Sequence, residues 1–301
     1  MSKPRVAIMG LGLMGTGMAG RLLSSGFPLT VYNRNREKAQ SLAKDGAFVA
    51  STPREAAARS EVVISMVADD AASRAVWLGE NGALAGSGPG TTLIESSTLT
   101  VKWVHELAAA AAQKGCELLD APVTGSKPQA ASGELLFLVG GSEKALEIAR
   151  PVLSVLGRDA IRFGPTGSGA IMKLINNFMA GVQAASFAEG LALIDRGGLD
   201  REKAIAVLTE GVPGSPMVKR VAAKVASGDF TPNFALRLMA KDLGYAVEEG
   251  QRHGIAVHTA AAALALFKEA IAKGYGDEDF SAVAEALAPR NSATTKETKS
   301  A

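Results

Sequence analysis

Lys173 and Asn177 stand four residues apart in the run Gly167-Ser-Gly-Ala-Ile-Met-Lys-Leu-Ile-Asn-Asn177, so a helix there carries both on one face, with Asn176 close by. An ammonium kept partly from water loses its proton more readily, which suits a group that gives and takes a proton near neutrality. The residues alone leave a second reading open, a lysine whose stem lies along apolar surface while its head reaches water. Near the other end of the chain, Gly10-Leu11-Gly12-Leu13-Met14-Gly15 follows the apolar run Val6 to Met9 and leads into a helix-like stretch. Gly10 permits a tight turn, Gly12 lets backbone approach a pyrophosphate, and Gly15 lets helix and strand pack closely. That loop predicts a dinucleotide whose phosphates face the N–H groups of a helix N-terminus. Between these two, Asp120-Ala-Pro-Val-Thr-Gly-Ser126 follows a strand and offers the hydroxyls of Thr124 and Ser126 and the backbone of Gly125, a cradle suited to a carboxylate.

The elements that must position these groups change character once along the chain. From Val6 to about Phe163, short apolar runs alternate with helical patterns: 6–9, 29–32, 47–49, 62–67, 92–94, 117–119, 135–139 and 161–163. Runs apolar on both faces suit strands covered above and below by helices. Thr52 before Pro53, and Ser142 before Glu143, read as helix starts. The stretch from Asp120 to Gly133, rich in Pro, Gly and Ser, reads as a long functional loop too irregular for a helix. Beyond Gly164-Pro-Thr-Gly-Ser-Gly169 the pattern is helical throughout. One long helix spans 170–196, with Ile171, Leu174, Ile175, Phe178, Met179, Val182 and Phe187 on its expected buried side, and others follow at 201–209, 216–226, 236–252 and 259–273. The expectation is an α/β chain: an N-terminal Rossmann-type, doubly wound and mainly parallel sheet over 1–166, an all-α domain over 167–290, and a disordered tail over 291–301.

Composition excludes several classes of function. With 32 Lys+Arg against 30 Asp+Glu the net charge is +2, and no basic patch longer than a few residues points to nucleic acid or an anionic membrane. No apolar run approaches the ~18 residues of a membrane span. Lys3 and Arg5 before an apolar segment imitate a signal peptide, but three glycines interrupt that segment. The single Cys116 sits in an apolar run and reads as a core residue, which fits a reducing, cytoplasmic setting. No metal site is predicted, and His105, His253 and His258 occupy no motif. Apolar faces at Val221 to Val225 and Ala260 to Phe267 are expected to pack in a homodimer or homotetramer.

The end of the second strand separates the two nicotinamide cofactors, because an acid there accepts from a ribose 2'-OH and repels a 2'-phosphate. This chain has Asn33-Arg34-Asn35-Arg36, and the planar guanidinium of Arg34 suits a phosphate. NADP(H) is therefore expected, with NAD(H) the weaker alternative.

Taken together and in this order, the motifs at 10–19, 120–126 and 167–177, with Lys241-Asp242-Leu, resemble the β-hydroxyacid dehydrogenases over residues 5 to 290. The glyoxylate and succinic semialdehyde reductase branch is the most similar, through Ser126-Lys127-Pro128 and Asn33-Arg34. The resemblance implies that Lys173 is the catalytic acid/base, that Asn177 orients the substrate, and that Thr124, Gly125 and Ser126 bind its carboxylate, with Phe234 and Asp242 beside it. It places the cofactor against Gly10, Leu11, Gly12, Leu13, Met14, Gly15, Asn33, Arg34, Val67, Thr98 and Lys241. Read alone, Lys241-Asp242 is a surface ion pair. The family's usual Ser-Gly-Gly is replaced at Thr124 and Ser126, which leaves the reaction type intact and the size of the substrate open. The implied reaction reduces a small carboxylate-bearing aldehyde to a hydroxy acid. Alternatives are a 3-hydroxyisobutyrate or tartronate semialdehyde enzyme, an imine reductase, against which Lys173 argues, and a non-catalytic NADP-binding module.

Overall fold

The computed structural model describes residues 3–288. The strands are β1 (Val6–Met9), β2 (Leu29–Tyr32), β3 (Phe48–Val49), β4 (Val62–Ser65), β5 (Thr92–Glu95), β6 (Glu117–Asp120), β7 (Val123–Thr124), β8 (Leu135–Gly140) and β9 (Gly157–Gly164). The helices are α1 (Leu13–Ser24), α2 (Gln40–Lys44), α3 (Pro53–Ala58), α4 (Asp70–Trp77), α5 (Ala83–Gly86), α6 (Val101–Gln113), α7 (Lys127–Ser132), α8 (Glu143–Leu156), α9 (Ser168–Arg196), α10 (Arg201–Glu210), α11 (Pro216–Ser227), α12 (Leu236–Arg252) and α13 (His258–Ala272).

Among the described residues the strands form one nine-stranded sheet in the order β3-β2-β1-β4-β5-β6-β8-β7, with β9 paired to β8. From β3 to β6 every pairing is parallel, while β8 runs antiparallel to β6 and β7. Every residue of β1, β4 and β5 is buried, as expected of strands with helices on both faces. Ile8, Ile64, Ile94 and Leu119 pack on one face with Met18 and Leu22 of α1 and with Leu146, Val152 and Leu153 of α8. Thr52 caps α3 by accepting from the Glu55 N–H at 3.1 Å, and Ser142 caps α8 through the Ala145 N–H at 3.0 Å, where the sequence placed helix starts. This is the Rossmann-type, mainly parallel sheet expected, followed by an all-helical part from α9 onward.

The chain divides into two compact units, one holding residues up to Asn177 with Tyr245–Ala256, the other Phe178–Gly244 with the residues from Val257 onward. No helix among the described residues is long and apolar enough to cross a membrane. The sequence-predicted tail over 291–301 lies outside the described residues.

Three expectations are corrected. The stretch between Asp120 and Gly133 does contain a helix, α7. Pro128 sits in its first turn, where a missing N–H costs nothing, and Gly133 ends it at φ 79°. The Gln129 side chain accepts from both the N–H and the hydroxyl of Ser126, at 2.9 and 3.0 Å. Second, only part of the side of α9 expected to be buried is covered: Leu174 and Phe187 are buried as expected, and Ile171, Phe178 and Val182 are half-buried. Ala170, Leu174, Ala184, Ala188 and Leu191 are covered, while Ile175 and Met179 are 39% and 53% exposed. Alanines, which weigh little in a hydrophobic periodicity, supply much of the rest of the covered side. Third, the faces expected to meet a second copy are largely used internally. Val221 and Ala222 of α11 are covered, as are Ala260, Leu266 and Phe267 of α13, and both helices pack on the 3-10 segment Phe280–Ala286. Val225 is half-buried. By contrast α10 buries no residue at all, and Leu193, Leu199, Val207 and Val212 are exposed.

Candidate functional site

The glycine loop links the end of β1 to α1. Gly10 has φ 98°, and a Cβ there would overlap the Met66 carbonyl oxygen; a Cβ at Gly15 would overlap the carbonyl of Gly10 itself. These two glycines are demanded by the chain's own packing. A Cβ at Gly12, by contrast, meets nothing within 4 Å. Gly12 is also the N-cap of α1, which has no side-chain cap and no acid in its first turn. A helix start of that kind presents partial positive charge to whatever approaches, so a diphosphate fits where Gly12 leaves room. Leu11 is buried, whereas Leu13 is exposed and Met14 half-buried. The loop is held to β2's end by Asn33, whose Oδ1 accepts from the Leu11 N–H at 2.8 Å and whose Nδ2 donates to the Asn35 carbonyl at 2.8 Å. Arg34 is exposed beside it.

Val67 and Thr98 follow the ends of β4 and β5, and a buried acid organises that region. The Glu95 carboxylate accepts from the Ser73 hydroxyl at 2.6 Å, the Trp77 indole at 2.7 Å and the Ser97 N–H at 2.9 Å. Ser73 accepts from the Trp103 indole at 2.9 Å, and Ser97 Oγ accepts from the Val67 N–H at 2.8 Å. Burial pushes the Glu95 carboxyl above its ordinary value, and these donors only partly offset the lost hydration. Nearby, Asp70 accepts from both the N–H and the hydroxyl of Thr100, the N-cap of α6, and the Asp70 N–H faces the Tyr245 hydroxyl at 3.5 Å.

At the end of β6, in register with Glu95, stands Asp120, 1% exposed. Its Oδ1 accepts from the Gly167 N–H at 2.8 Å and its Oδ2 from the Ala170 N–H at 2.9 Å, so it occupies the start of α9. Burial pushes its carboxyl up to about 6, against those backbone donors. Helix and sheet meet here with no room for side chains. A Cβ on Gly169 would stand 2.6 Å from the Asp120 carbonyl oxygen, and one on Gly140 would meet the Asp120 carboxylate itself. One turn on from this fastening, α9 carries Lys173, half-buried, and then Asn177, 5% exposed. Asn177 Oδ1 accepts from the Asn176 amide at 2.9 Å.

Four residues along the chain from Asp120, Thr124 is half-buried and paired on β8, and Gly125 turns the chain at φ 116°. A Cβ on Gly125 would stand 3.0 Å from Leu135. Because Ser126 gives its N–H and hydroxyl to Gln129, it shapes this turn from within.

In the second unit, Lys241 and Asp242 pair at 2.8 Å with side chains only 16% and 1% exposed. The surface pair expected from sequence is therefore a buried one. A buried pair pays desolvation on both ions, so its presence asks for a reason other than stability. Phe234 is half-buried edge-on to Phe280, and its N–H, like that of Asn233, is held by the buried Asp279. Cys116 is a covered thiol donating to the Gly88 carbonyl, and burial raises its pKa, as befits a core residue.

Sequence reading missed Glu95 and Gln129 altogether, and saw Asp120 only as the first letter of a motif. A signal was present: Leu-Ile-Glu95 and Leu-Leu-Asp120 each end an apolar strand on an acid at the carboxyl edge.

Comparison with known proteins places the chain in a family. The family model for the NAD binding domain of 6-phosphogluconate dehydrogenase matches residues 5–164, and that for the NAD-binding domain of NADP-dependent 3-hydroxyisobutyrate dehydrogenase matches 167–287. Glyoxylate/succinic semialdehyde reductase 1 of Arabidopsis thaliana is 35% identical over 94% of this chain and 98% of its own length. An NAD-dependent L-serine dehydrogenase of Pseudomonas aeruginosa is 34% identical over 95% and 98%. The structure of a 3-hydroxyisobutyrate dehydrogenase from Mycobacterium tuberculosis with L-serine superposes at a TM-score of 0.85, with 32% identity, over 95% of this chain and 100% of that one.

Proposed function

Since the chain belongs to the β-hydroxyacid dehydrogenases, whose members use NAD(P), we propose that it is an NADP(H)-dependent reductase of small semialdehyde acids such as glyoxylate or succinic semialdehyde, with Lys173 as its acid/base. The observation that carries this reading is the lysine's placement. Lys173 lies one turn into a helix whose start is fastened to Asp120, and Asp120 leads directly into the Thr124-Gly125-Ser126 turn.

Bound at the Gly10–Gly15 loop, the nicotinamide cofactor supplies the hydride. Backbone N–H groups at the open start of α1 would take its diphosphate, Asn33 keeps that loop in shape, and Arg34 would meet the 2'-phosphate. Thr124 and the backbone of Gly125 would hold the substrate carboxylate, with Ser126 maintaining the turn. Fixing the carboxylate decides which carbon is presented for reaction. Asn177 would orient the carbonyl, and the Lys173 ammonium would donate its proton to the oxygen as the C=O bond becomes C–O. The lysine is left as the neutral amine and regains its proton from solvent. In oxidation the neutral amine takes the hydroxyl proton, so that direction gains as pH rises. Val67 and Thr98, which follow the ends of β4 and β5, would lie against the cofactor.

A second reading is favoured by two of the relatives: oxidation of L-serine or a similar 3-hydroxy acid with NAD. Initial rates on a panel of semialdehydes with NADPH and NADH, against L-serine and 3-hydroxyisobutyrate with both oxidised cofactors, decide between them. Semialdehyde reduction with NADPH is expected to dominate. Faster turnover of L-serine with NAD would replace this reading, and NADPH binding without turnover of any substrate would favour a binding module.

We further propose a homodimer or homotetramer. The support is α10, which buries nothing within its own chain, with Leu193, Leu199, Val207 and Val212 exposed. Light scattering during gel filtration tests it, and a monomeric mass would overturn it.

A further inference from the structure

The Asp120 carboxylate is held chiefly by the backbone at the start of α9. Oδ1 takes the Gly167 N–H and Oδ2 takes the Ala170 N–H. A buried carboxylate with no cationic partner is expensive to keep, and an uncharged cap such as Ser or Asn would serve an ordinary helix start. Two features argue that more than capping is at stake. Gly169 brings α9 into backbone contact with Leu138 and Gly140 of β8 and with the Asp120 carbonyl, and Gly140 leaves room for the Asp120 carboxylate itself. And Asp120 lies four residues before Thr124, while the Ala170 N–H it holds lies three residues before Lys173, so its bonds link the two.

We propose that Asp120 is a positioning residue for the reaction: it sets the height and rotation of Lys173 relative to the Thr124-Gly125 turn that would hold the substrate's carboxylate. Asp120 itself touches neither substrate nor cofactor. The two backbone donors fix α9 at two adjacent points of its first turn, which constrains both the translation of the helix along its axis and its rotation about that axis. A single hydroxyl acceptor would constrain only one of these. Proton transfer depends steeply on such placement, so a shift of about 1 Å is expected to slow it by as much as about 100-fold.

This inference rests on the reading of Lys173 as acid/base, and the test separates the two. In Asp120→Asn the side chain keeps its shape, but its amide turns an N–H toward one of the two backbone donors. Expected are a kcat lower by 10- to 100-fold, an NADPH dissociation constant within twofold of wild type, and a kinetic isotope effect with deuterated NADPH that rises as the chemical step becomes limiting. A merely structural role would lower the active fraction and leave the isotope effect per active site where it was. That result, or a kcat within twofold of wild type, overturns the proposal. If Asp120→Asn does not fold, Asp120→Ser, which keeps one acceptor, is judged by the same three measurements. Wild-type enzyme that turns over without needing Lys173 would instead refute the acid/base reading, and this role with it.

Discussion

Two helices begin at the carboxyl edge of the same sheet, and they begin in opposite ways. At α1 the cap is Gly12, no side chain accepts from the first turn, no acid lies within it, and a Cβ would meet nothing. At α9 the first turn is filled by the chain's own Asp120, with glycines on either side packed to backbone contact. Both starts carry the same partial positive charge. One spends it internally and gains fixed geometry; the other keeps it for a ligand. The contrast separates a place that binds from a place that aligns.

The comparison breaks most visibly if the aligned helix loses the group it carries. Under the proposed mechanism, Lys173→Ala lowers turnover by about 10²- to 10⁴-fold, the usual range for a lost acid/base, with NADPH affinity unchanged. Next in size is making the first helix resemble the second. Gly12→Asp places a carboxylate where the N-cap backbone is already extended and open. It is expected to raise the melting temperature slightly, since an Asp cap gains only a few tenths of a kcal/mol over Gly, while weakening NADPH binding by about 100-fold through repulsion. Calorimetric melting beside a fluorescence titration checks both signs at once, and tight NADPH binding by this variant would remove the phosphates from α1.

Arg34→Ala should act more gently and on one cofactor only. Loss of a charge-assisted bond at an exposed site is expected to raise the KM for NADPH about tenfold and leave that for NADH unchanged. The smallest effect is in pH. Burial raises the Asp120 carboxyl from 3.8 to about 6, so between these values the folded chain keeps a proton the unfolded chain has lost. Its contribution to stability is then complete below about pH 4 and declines as pH climbs to about 6. Melting temperatures of wild type minus Asp120→Asn should fall across that window and level off above it. A difference that grows with pH would reverse the sign of the burial effect.

Much of the fold was legible because its strands are short apolar runs bounded by polar or turn-forming residues. The runs at 6–9 and 29–32 coincide with β1 and β2, and the long helix begins at Ser168, two residues before the Ala170 that periodicity picked out. What escaped was decided by neighbours rather than by local pattern. α7 is hidden because Ser126, Pro128 and Gly133 read as loop chemistry, although in that order they start and stop a helix. Beside Leu174, Phe187 and Leu191 the buried stripe of α9 holds many alanines, which carry little weight in a hydrophobic periodicity, while Met179 stands exposed. Lys241-Asp242 looks like any surface pair until its burial is measured. The candidate site divides in the same way. Motif positions such as Lys173, Thr124 and Gly12 could be named from spacing, whereas Glu95, Gln129 and the cap made by Asp120 depend on partners 18 to 50 residues away or on a turn not recognised as one.

The central claim is that α1's open start binds the cofactor and that α9 carries the proton. The most direct measurement is a single experiment on Lys173→Ala: titrate NADPH by fluorescence, then add succinic semialdehyde and glyoxylate in turn and follow NADPH absorbance. The account predicts a wild-type binding curve followed by almost no oxidation, under conditions where the wild-type protein consumes NADPH. Oxidation by Lys173→Ala within a few fold of wild type would contradict it.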